Sequence, residues 1–309
     1  MNNEPPSEFP SWPPFDGSGD DGRHQGRHDS IAGGALTLND SFALMARLLS
    51  IGRRTMLLSV FVLLVPYQIV AGIYLNNTLD ADVVTAVVAG DAQPGSLAGV
   101  LTAVGSVAIL GMFLTVVVAG AIVAAAHAGD MRLSVGTAVR IGFDRSGATL
   151  GAQVMLFVIL IAGFVAITVL LSPVVMLVPA LGIIAVTMTV IAFIFVGMAV
   201  SYLVVPVAVL EARGPVASLK RAVTIAWQRK GRLAGIMGLV AAGLVIVAML
   251  GSIAVGVMLL IAPALGVVIE TSFMMIMTLV SSPVTALAGY VVWVDAKNRE
   301  GGRAWPQAQ

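Results

Sequence analysis

Between Arg145 and Glu211 this chain carries no charged side chain, and between Arg232 and Asp295 Glu270 alone interrupts an otherwise uncharged run. A bilayer's hydrocarbon core is crossed by about 20 apolar helical residues, so each run is long enough for two spans and a tight turn. Pro173 and Pro179 are expected to mark the first turn, and Pro263 with Glu270 the second, because proline breaks a helix and a carboxylate prefers the interface. Further apolar stretches run from Met56 to Leu75 and from Leu97 to Ala125, which makes six spans. The fold class that follows is all-α, a polytopic membrane helix bundle.

Orientation follows from the basic residues. Arg23, Arg27, Arg47, Arg53 and Arg54 precede the first span, and Arg132, Arg140 and Arg145 lie between the second and third. Arg213, Lys220, Arg221, Arg229, Lys230 and Arg232 lie between the fourth and fifth, and Lys297, Arg299 and Arg303 follow the sixth. The segment between spans one and two holds Asp80, Asp82 and Asp91 but no Lys or Arg. The positive-inside rule then places both termini in the cytoplasm. The preference for Arg over Lys, with abundant Ala, Val and Gly, matches high-G+C bacterial usage, so the expected location is a bacterial inner membrane.

At 58% hydrophobic and 11% charged, the chain is far more apolar than a soluble domain, which carries about 25% charged residues. It has no cysteine, which excludes disulfides, thiolate nucleophiles and Cys-ligated metals. Residues 1–35 are different in kind, rich in Pro, Gly, Asp and Ser, and are expected to be a disordered cytoplasmic tail. Phe9, Trp12 and Phe15 among the prolines have the look of a short docking motif, though an unstructured tail is the plainer reading. His24 and His28 are spaced as a metal pair but lack a third ligand. The membrane domain is expected over 36–296, with a cytoplasmic tail at 297–309.

Ahead of each odd-numbered span lies a segment of helical periodicity. In the first, Leu38, Phe42, Met45 and Leu49 form a stripe opposite Asp40, Arg47, Ser50 and Arg54, and Thr37 with Asp40 reads as an N-terminal capping pair. In the second the stripe is Val135, Val139 and Phe143; in the third it is Val216, Leu219, Val223 and Trp227, after Pro215 at the first helical position. Each is expected to be a separate amphipathic helix lying along the cytoplasmic leaflet. Residues 139–145 superpose without gaps on 223–229, aromatic on aromatic and Arg on Arg, and the even spans close on Asp130, Glu211 and Asp295. The chain thus reads as three units, each an interfacial helix followed by a transmembrane hairpin.

The segments LTLNDSFALMARLLSIGRRT, VLEARGPVASLKRAVTIAWQRKGRL and YVVWVDAKNREGG resemble bacterial polytopic proteins of the family called the membrane domain of glycerophosphoryl diester phosphodiesterase. Glu211, Gly214, Pro215, Arg221 and Trp227 fit that family's pattern around the third cytoplasmic helix, and Tyr290, Asp295, Arg299, Glu300 and Gly301 fit the close of its last span. The resemblance spans roughly 36–302, with Ala296 where the family has Arg. It implies a membrane domain that in some members precedes a phosphodiesterase barrel and in many stands alone with no assigned activity. This chain ends at Gln309, short of the ~250 residues a barrel needs, so a stand-alone domain is expected.

No acid, base or histidine falls at bilayer depth, where the polar side chains are Tyr67, Gln68, Thr115, Gln153, Thr168, Thr187, Thr189, Ser201, Tyr202, Thr278, Ser281, Ser282, Thr285 and Tyr290. Such hydroxyls usually bond their own helix or a neighbour, so no enzyme, cofactor or metal site is expected. His127 and Asp130, one turn apart, are the nearest thing to a titratable pair. Nothing suggests nucleic acid. The expected function is that of a non-enzymatic membrane protein whose basic helices engage anionic lipid head groups or a partner through Arg53, Arg54, Arg140, Arg145, Arg221, Trp227, Arg229, Lys230 and Arg232. The competing reading is a small transporter or exporter component for an apolar or lipid-like substrate, which would need a cavity lined by Thr187, Thr189, Thr278 or Ser281.

Overall fold

The computed structural model describes residues 36–78, 94–129, 133–211, 213–261 and 266–300. Those residues form seven helices: α1 (Leu38–Thr78), α2 (Pro94–Ala128), α3 (Val135–Leu177), α4 (Pro179–Leu210), α5 (Pro215–Gln228), α6 (Lys230–Ile261) and α7 (Gly266–Arg299). Every helix except the 14-residue α5 is long and apolar enough to cross a bilayer. The tail over 1–35 and the acidic segment with Asp80, Asp82 and Asp91 lie outside the described residues.

Two of the three expected interfacial helices are not separate elements. The first is the beginning of the 41-residue α1 and the second the beginning of the 43-residue α3. No proline stands between the polar and apolar parts of either helix, and Gly52, Gly142 and Gly147 each cost a helix only about 1 kcal/mol. The third segment does form its own helix, α5, which ends at Arg229, where φ is −116° and ψ is 23°. Gly231 beside this break lowers the local helix propensity. The cap expected at the start of α1 is present: Thr37 N–H donates to Asp40 Oδ2 at 2.8 Å and Asp40 N–H to Thr37 Oγ1 at 3.2 Å.

The turn between spans three and four sits at Val178, with Pro179 opening α4. Pro173 lies inside α3, one turn earlier than a helix breaker would be expected to act. The turn containing Pro263 lies outside the described residues, whereas Glu270 is helical and exposed near the start of α7.

The core gathers at one end. It is built from the second halves of α2 (Val116–Ala128), α4 (Ala199–Val209) and α7 (Ala286–Ala296), with the first halves of α1 and α3 and the start of α6 packed around them. These stretches are mostly Ala, Val and Gly. Small residues let helix backbones approach closely, and in lipid that contact substitutes for a hydrophobic driving force. Two crossings depend on glycine: a Cβ on Gly289 would collide with the Tyr202 carbonyl of α4, and one on Gly142 of α3 with the Val117 carbonyl of α2.

Toward the other end the helices continue as pairs, α1 joined to α2 where the Tyr67 hydroxyl donates to Val107 O, α3 to α4 and α6 to α7. Leu160 and Gly163 of α3 meet Gly197 and Phe193 of α4, and Phe273 of α7 covers Gly251 of α6. The remaining faces carry exposed apolar side chains, such as Leu170, Met176, Leu260 and Ile261. Apolar surface this continuous is stable against hydrocarbon and not against water.

The apolar stripes expected on the polar segments are only partly the buried ones. On α1 the inward face is Leu44, Met45 and Leu48, which shares Met45 with the stripe read from the sequence, while Phe42 and Leu49 are half-buried and Leu38 is exposed. On α3, Ala138 and Gly142 face inward while Phe143 is exposed, its edge against Phe113 at 5.7 Å between ring centroids. On α5 the buried residues are Ser218, Leu219, Ala222 and Ile225, and Val216, Val223 and Trp227 are exposed.

Gly289→Ala is expected to lower the thermal unfolding temperature of the detergent-solubilised protein by the equivalent of roughly 1–3 kcal/mol, the usual cost of overpacking. Gly243→Ala, whose new methyl meets nothing within 4 Å, serves as the control and is expected to be neutral or mildly stabilising. Equal unfolding temperatures for the two variants would contradict the close crossing of α4 and α7.

Candidate functional site at the basic end of the bundle

The acids that close α4 and α7 stand where a helix's own carbonyl dipoles repel them, so each needs cations nearby. Glu211 caps α4 and its side chain is only 7% exposed. The Trp293 indole N–H donates to its Oε1 at 3.0 Å, and Lys297 Nζ and Arg221 Nε stand 3.2 and 3.6 Å from the same oxygen. Arg213 Nε is 2.8 Å from Oε2. Arg221 also donates to Glu300, so this guanidinium is clamped between two carboxylates.

Asp295 is fully buried. Its Oδ1 receives Arg232 Nη1 at 2.9 Å, Arg299 Nε at 3.3 Å and the Leu36 backbone N–H at 3.1 Å. Arg232 continues outward to the Ser41 hydroxyl at 2.6 Å and the Thr37 carbonyl at 2.8 Å. One carboxylate oxygen thereby holds together the approach to α1, the first turn of α6 and the last turn of α7.

Of the nine residues expected to meet lipid head groups, Arg221 and Arg232 are therefore engaged by internal carboxylates. Arg53, Arg54 and Arg140 are exposed, Arg140 3.9 Å from Asp144 in an i,i+4 pair that contributes little at such exposure. Arg145 is half-buried on α3. Trp227 is exposed, with Lys230 Nζ 5.3 Å from its ring centroid.

Arg229, Lys230 and Arg232 come together with Leu38, Gln228, Gly231, Gly235, Asp295 and Arg299 around a cavity of about 480 Å³ at the junction of α5 and α6. Sequence reasoning missed Leu38 and Arg299 here. The i,i+4 spacing of Asp295 and Arg299 on a helix was the available signal for the latter.

The pair read between His127 and Asp130 lies partly outside the described residues, because Asp130 is not among them. His127 Nδ1 is 3.3 Å from the Tyr290 hydroxyl, in an aromatic cluster with Trp293. Two of the hydroxyls named for a transport cavity bond within their own helices. Thr189 donates to Ala185 O and Thr278 to Met274 O, each at or near 2.8 Å on its own helix. Thr278 also accepts from Gln68 of α1, and Gln153 of α3 donates to Ser201 of α4 at 3.2 Å, so the mid-bundle polar groups join helices to one another.

Two outcomes test this ionic framework. Asp295→Asn leaves Arg232 and Arg299 without their shared counter-charge, and removing one partner of a buried pair typically costs about 3–5 kcal/mol. The variant is expected to unfold well below the wild type, and an unchanged unfolding temperature would contradict the arrangement. For Glu211, burial by itself raises the carboxyl pKa, but the Trp293 and Lys297 hydrogen bonds and the Lys297 and Arg221 charges outweigh it and hold it below its ordinary 4.5. Its contribution is therefore complete above about pH 4.5 and is lost as the pH falls through the lowered value. Glu211→Gln should flatten the acid limb of the stability profile below that pH.

No family model, no curated protein and no solved structure matches this chain, so the site is read from its own chemistry.

Proposed function

We propose that the chain is a non-enzymatic integral protein of a bacterial inner membrane, with both termini in the cytoplasm and its basic end against the anionic leaflet. On this reading the basic end holds anionic lipid, or a partner that presents similar charge. The observation that carries it is α5, whose exposed face sets Val216, Val223 and Trp227 beside Lys220 and Lys230. An exposed apolar stripe edged by lysine, with a tryptophan, suits a helix in the head-group layer. Arg53, Arg54 and Arg140 add cations at the same end of the spans, and near an anionic leaflet each contributes about 1 kcal/mol.

The resemblance to the membrane domain of glycerophosphoryl diester phosphodiesterase is part of this proposal. Its motif residues Glu211, Arg221, Asp295, Arg299 and Glu300 are the ones that pair at the basic end, which supports a structural role for the motif rather than a catalytic one.

Topology is tested with single cysteines. Ser218 is buried and unsuitable for labelling, whereas Thr224 is exposed. An impermeant thiol reagent added to intact cells should label Asp82→Cys and leave Thr224→Cys unlabelled; the reverse pattern would overturn the orientation. Lipid extracted with the purified protein should be enriched in phosphatidylglycerol or cardiolipin over the bulk membrane, and a bulk-like composition would count against the lipid role. The same preparation is expected to show no turnover of glycerophosphodiesters with Mg²⁺ or Ca²⁺.

A further inference from the structure

Helices ordinarily begin with acidic side chains, because the first backbone N–H groups have no intrahelical acceptor and carry partial positive charge. α6 does the opposite. Its first turn contains Lys230 and Arg232 and no acid, Arg229 immediately precedes it, and the first turn closes only with the Leu233 N–H donating to Arg229 O at 2.8 Å. Arg299 from the end of α7 joins them in the wall of the cavity.

Against these four cations the lining holds one carboxylate, Asp295, whose Oδ1 already takes Arg232, Arg299 and the Leu36 N–H. Among the described residues no carboxylate pairs with Arg229 or Lys230, and Arg229 Nε is buried without an acceptor. Concentrated positive charge of this kind costs free energy unless an anion meets it. The cavity's volume of about 480 Å³ lies within the range of small-molecule sites. Gly231 leaves the wall open, since a Cβ there would meet nothing within 4 Å.

We infer that the cavity between the start of α6 and the end of α7 is a binding site for a phosphate group, held by Arg229 and Lys230 and by the free N–H groups of the first turn of α6. Arg232 and Arg299, locked on Asp295, position the site. A forked guanidinium and an ammonium beside a helix start suit a phosphate mono- or diester better than a carboxylate with two oxygens. Leu38, 42% exposed, adds apolar surface to the lining, and Lys230 extends over the ring of Trp227. That surface would lie against the glycerol and upper acyl region if the phosphate belongs to a lipid. The inference rests on the reading of the basic end given above and narrows it to one place.

The test uses the full chain in nanodiscs of phosphatidylcholine, titrated with phosphatidylglycerol and, separately, with inorganic phosphate against chloride at matched ionic strength. Unfolding temperature and bound lipid by native mass spectrometry are the readouts. Three variants are compared with the wild type. Arg229→Gln/Lys230→Gln removes the proposed ligands, Gly231→Phe fills the cavity while keeping every charge, and Arg53→Gln/Arg54→Gln removes equal charge elsewhere on the basic end. Arg229→Gln/Lys230→Gln should weaken phosphate or phosphatidylglycerol binding at least tenfold, since each lost cation near the surface is worth about a fivefold change, and Gly231→Phe should weaken it at least as much by occupying the space of the ligand. The Arg53/Arg54 variant should keep most of the affinity.

Stabilisation by phosphatidylglycerol alone identifies the ligand as a lipid head group, and stabilisation by inorganic phosphate identifies a soluble phosphate; either supports the site when it is lost in Arg229→Gln/Lys230→Gln and in Gly231→Phe. Anionic-lipid binding that survives Arg229→Gln/Lys230→Gln and Gly231→Phe but falls in Arg53→Gln/Arg54→Gln overturns the cavity while leaving the broader lipid role standing. Absence of any preference for phosphatidylglycerol or phosphate in the wild type overturns both. Because Gly231→Phe retains Arg229 and Lys230, a stable protein with lost binding separates occupancy of the cavity from loss of charge.

Discussion

The buried carboxylate of Asp295 is the interaction on which the arrangement of the basic end depends. A carboxylate removed from water is tolerated only when it is paired and hydrogen-bonded. The groups available to this one come from three places distant in sequence: the Leu36 backbone ahead of α1, Arg232 at the start of α6 and Arg299 on α7 itself. Satisfying Asp295 therefore sets where α1 begins relative to the last two spans. Glu211 does the same work for α4, drawing in Arg213, Arg221, Lys297 and the Trp293 indole. The two acids occupy matching positions at the ends of even-numbered spans, in keeping with a chain organised as repeated hairpin units.

Between those ionic ends the helices are held by close contact of small residues. The core halves of α2, α4 and α7 are rich in Ala, Val and Gly, and glycines at positions 142 and 289 let backbones touch. In a bilayer, burying a large apolar side chain between helices gains little over leaving it in lipid, so packing rewards the residues that permit proximity. The large apolar side chains accordingly point outward along α3 and α6. The outer hairpins depend on the surrounding lipid to cover their exposed apolar faces.

The basic end divides its cations between two uses. Arg213, Arg221, Arg232, Lys297 and Arg299 neutralise Glu211, Glu300 and Asp295, while Arg53, Arg54, Arg229 and Lys230 are not drawn into those pairs. A row of basic residues read as one electrostatic patch is thus two populations with different duties. The second is the population to which the proposal assigns a charged lipid or phosphate, and its inner pair, Arg229 and Lys230, stands at a cavity.

By itself the sequence determined the class of the protein, the number of apolar spans and the cap at Thr37 and Asp40, because length, charge-free runs and capping chemistry are local quantities. The turn at Pro179 and the separate helix opening at Pro215 were legible for the same reason. It misjudged the first two polar segments as detached helices, since continuity of α1 and α3 depends on the absence of a strong breaker and not on polarity. Which arginines are spoken for was decided by tertiary structure alone. Arg221, Arg229 and Arg232 lie within a twelve-residue stretch and are chemically identical, yet Glu211, Glu300 and Asp295 reach two of them and leave the third, and that selection exists only once α4, α5, α6 and α7 have converged.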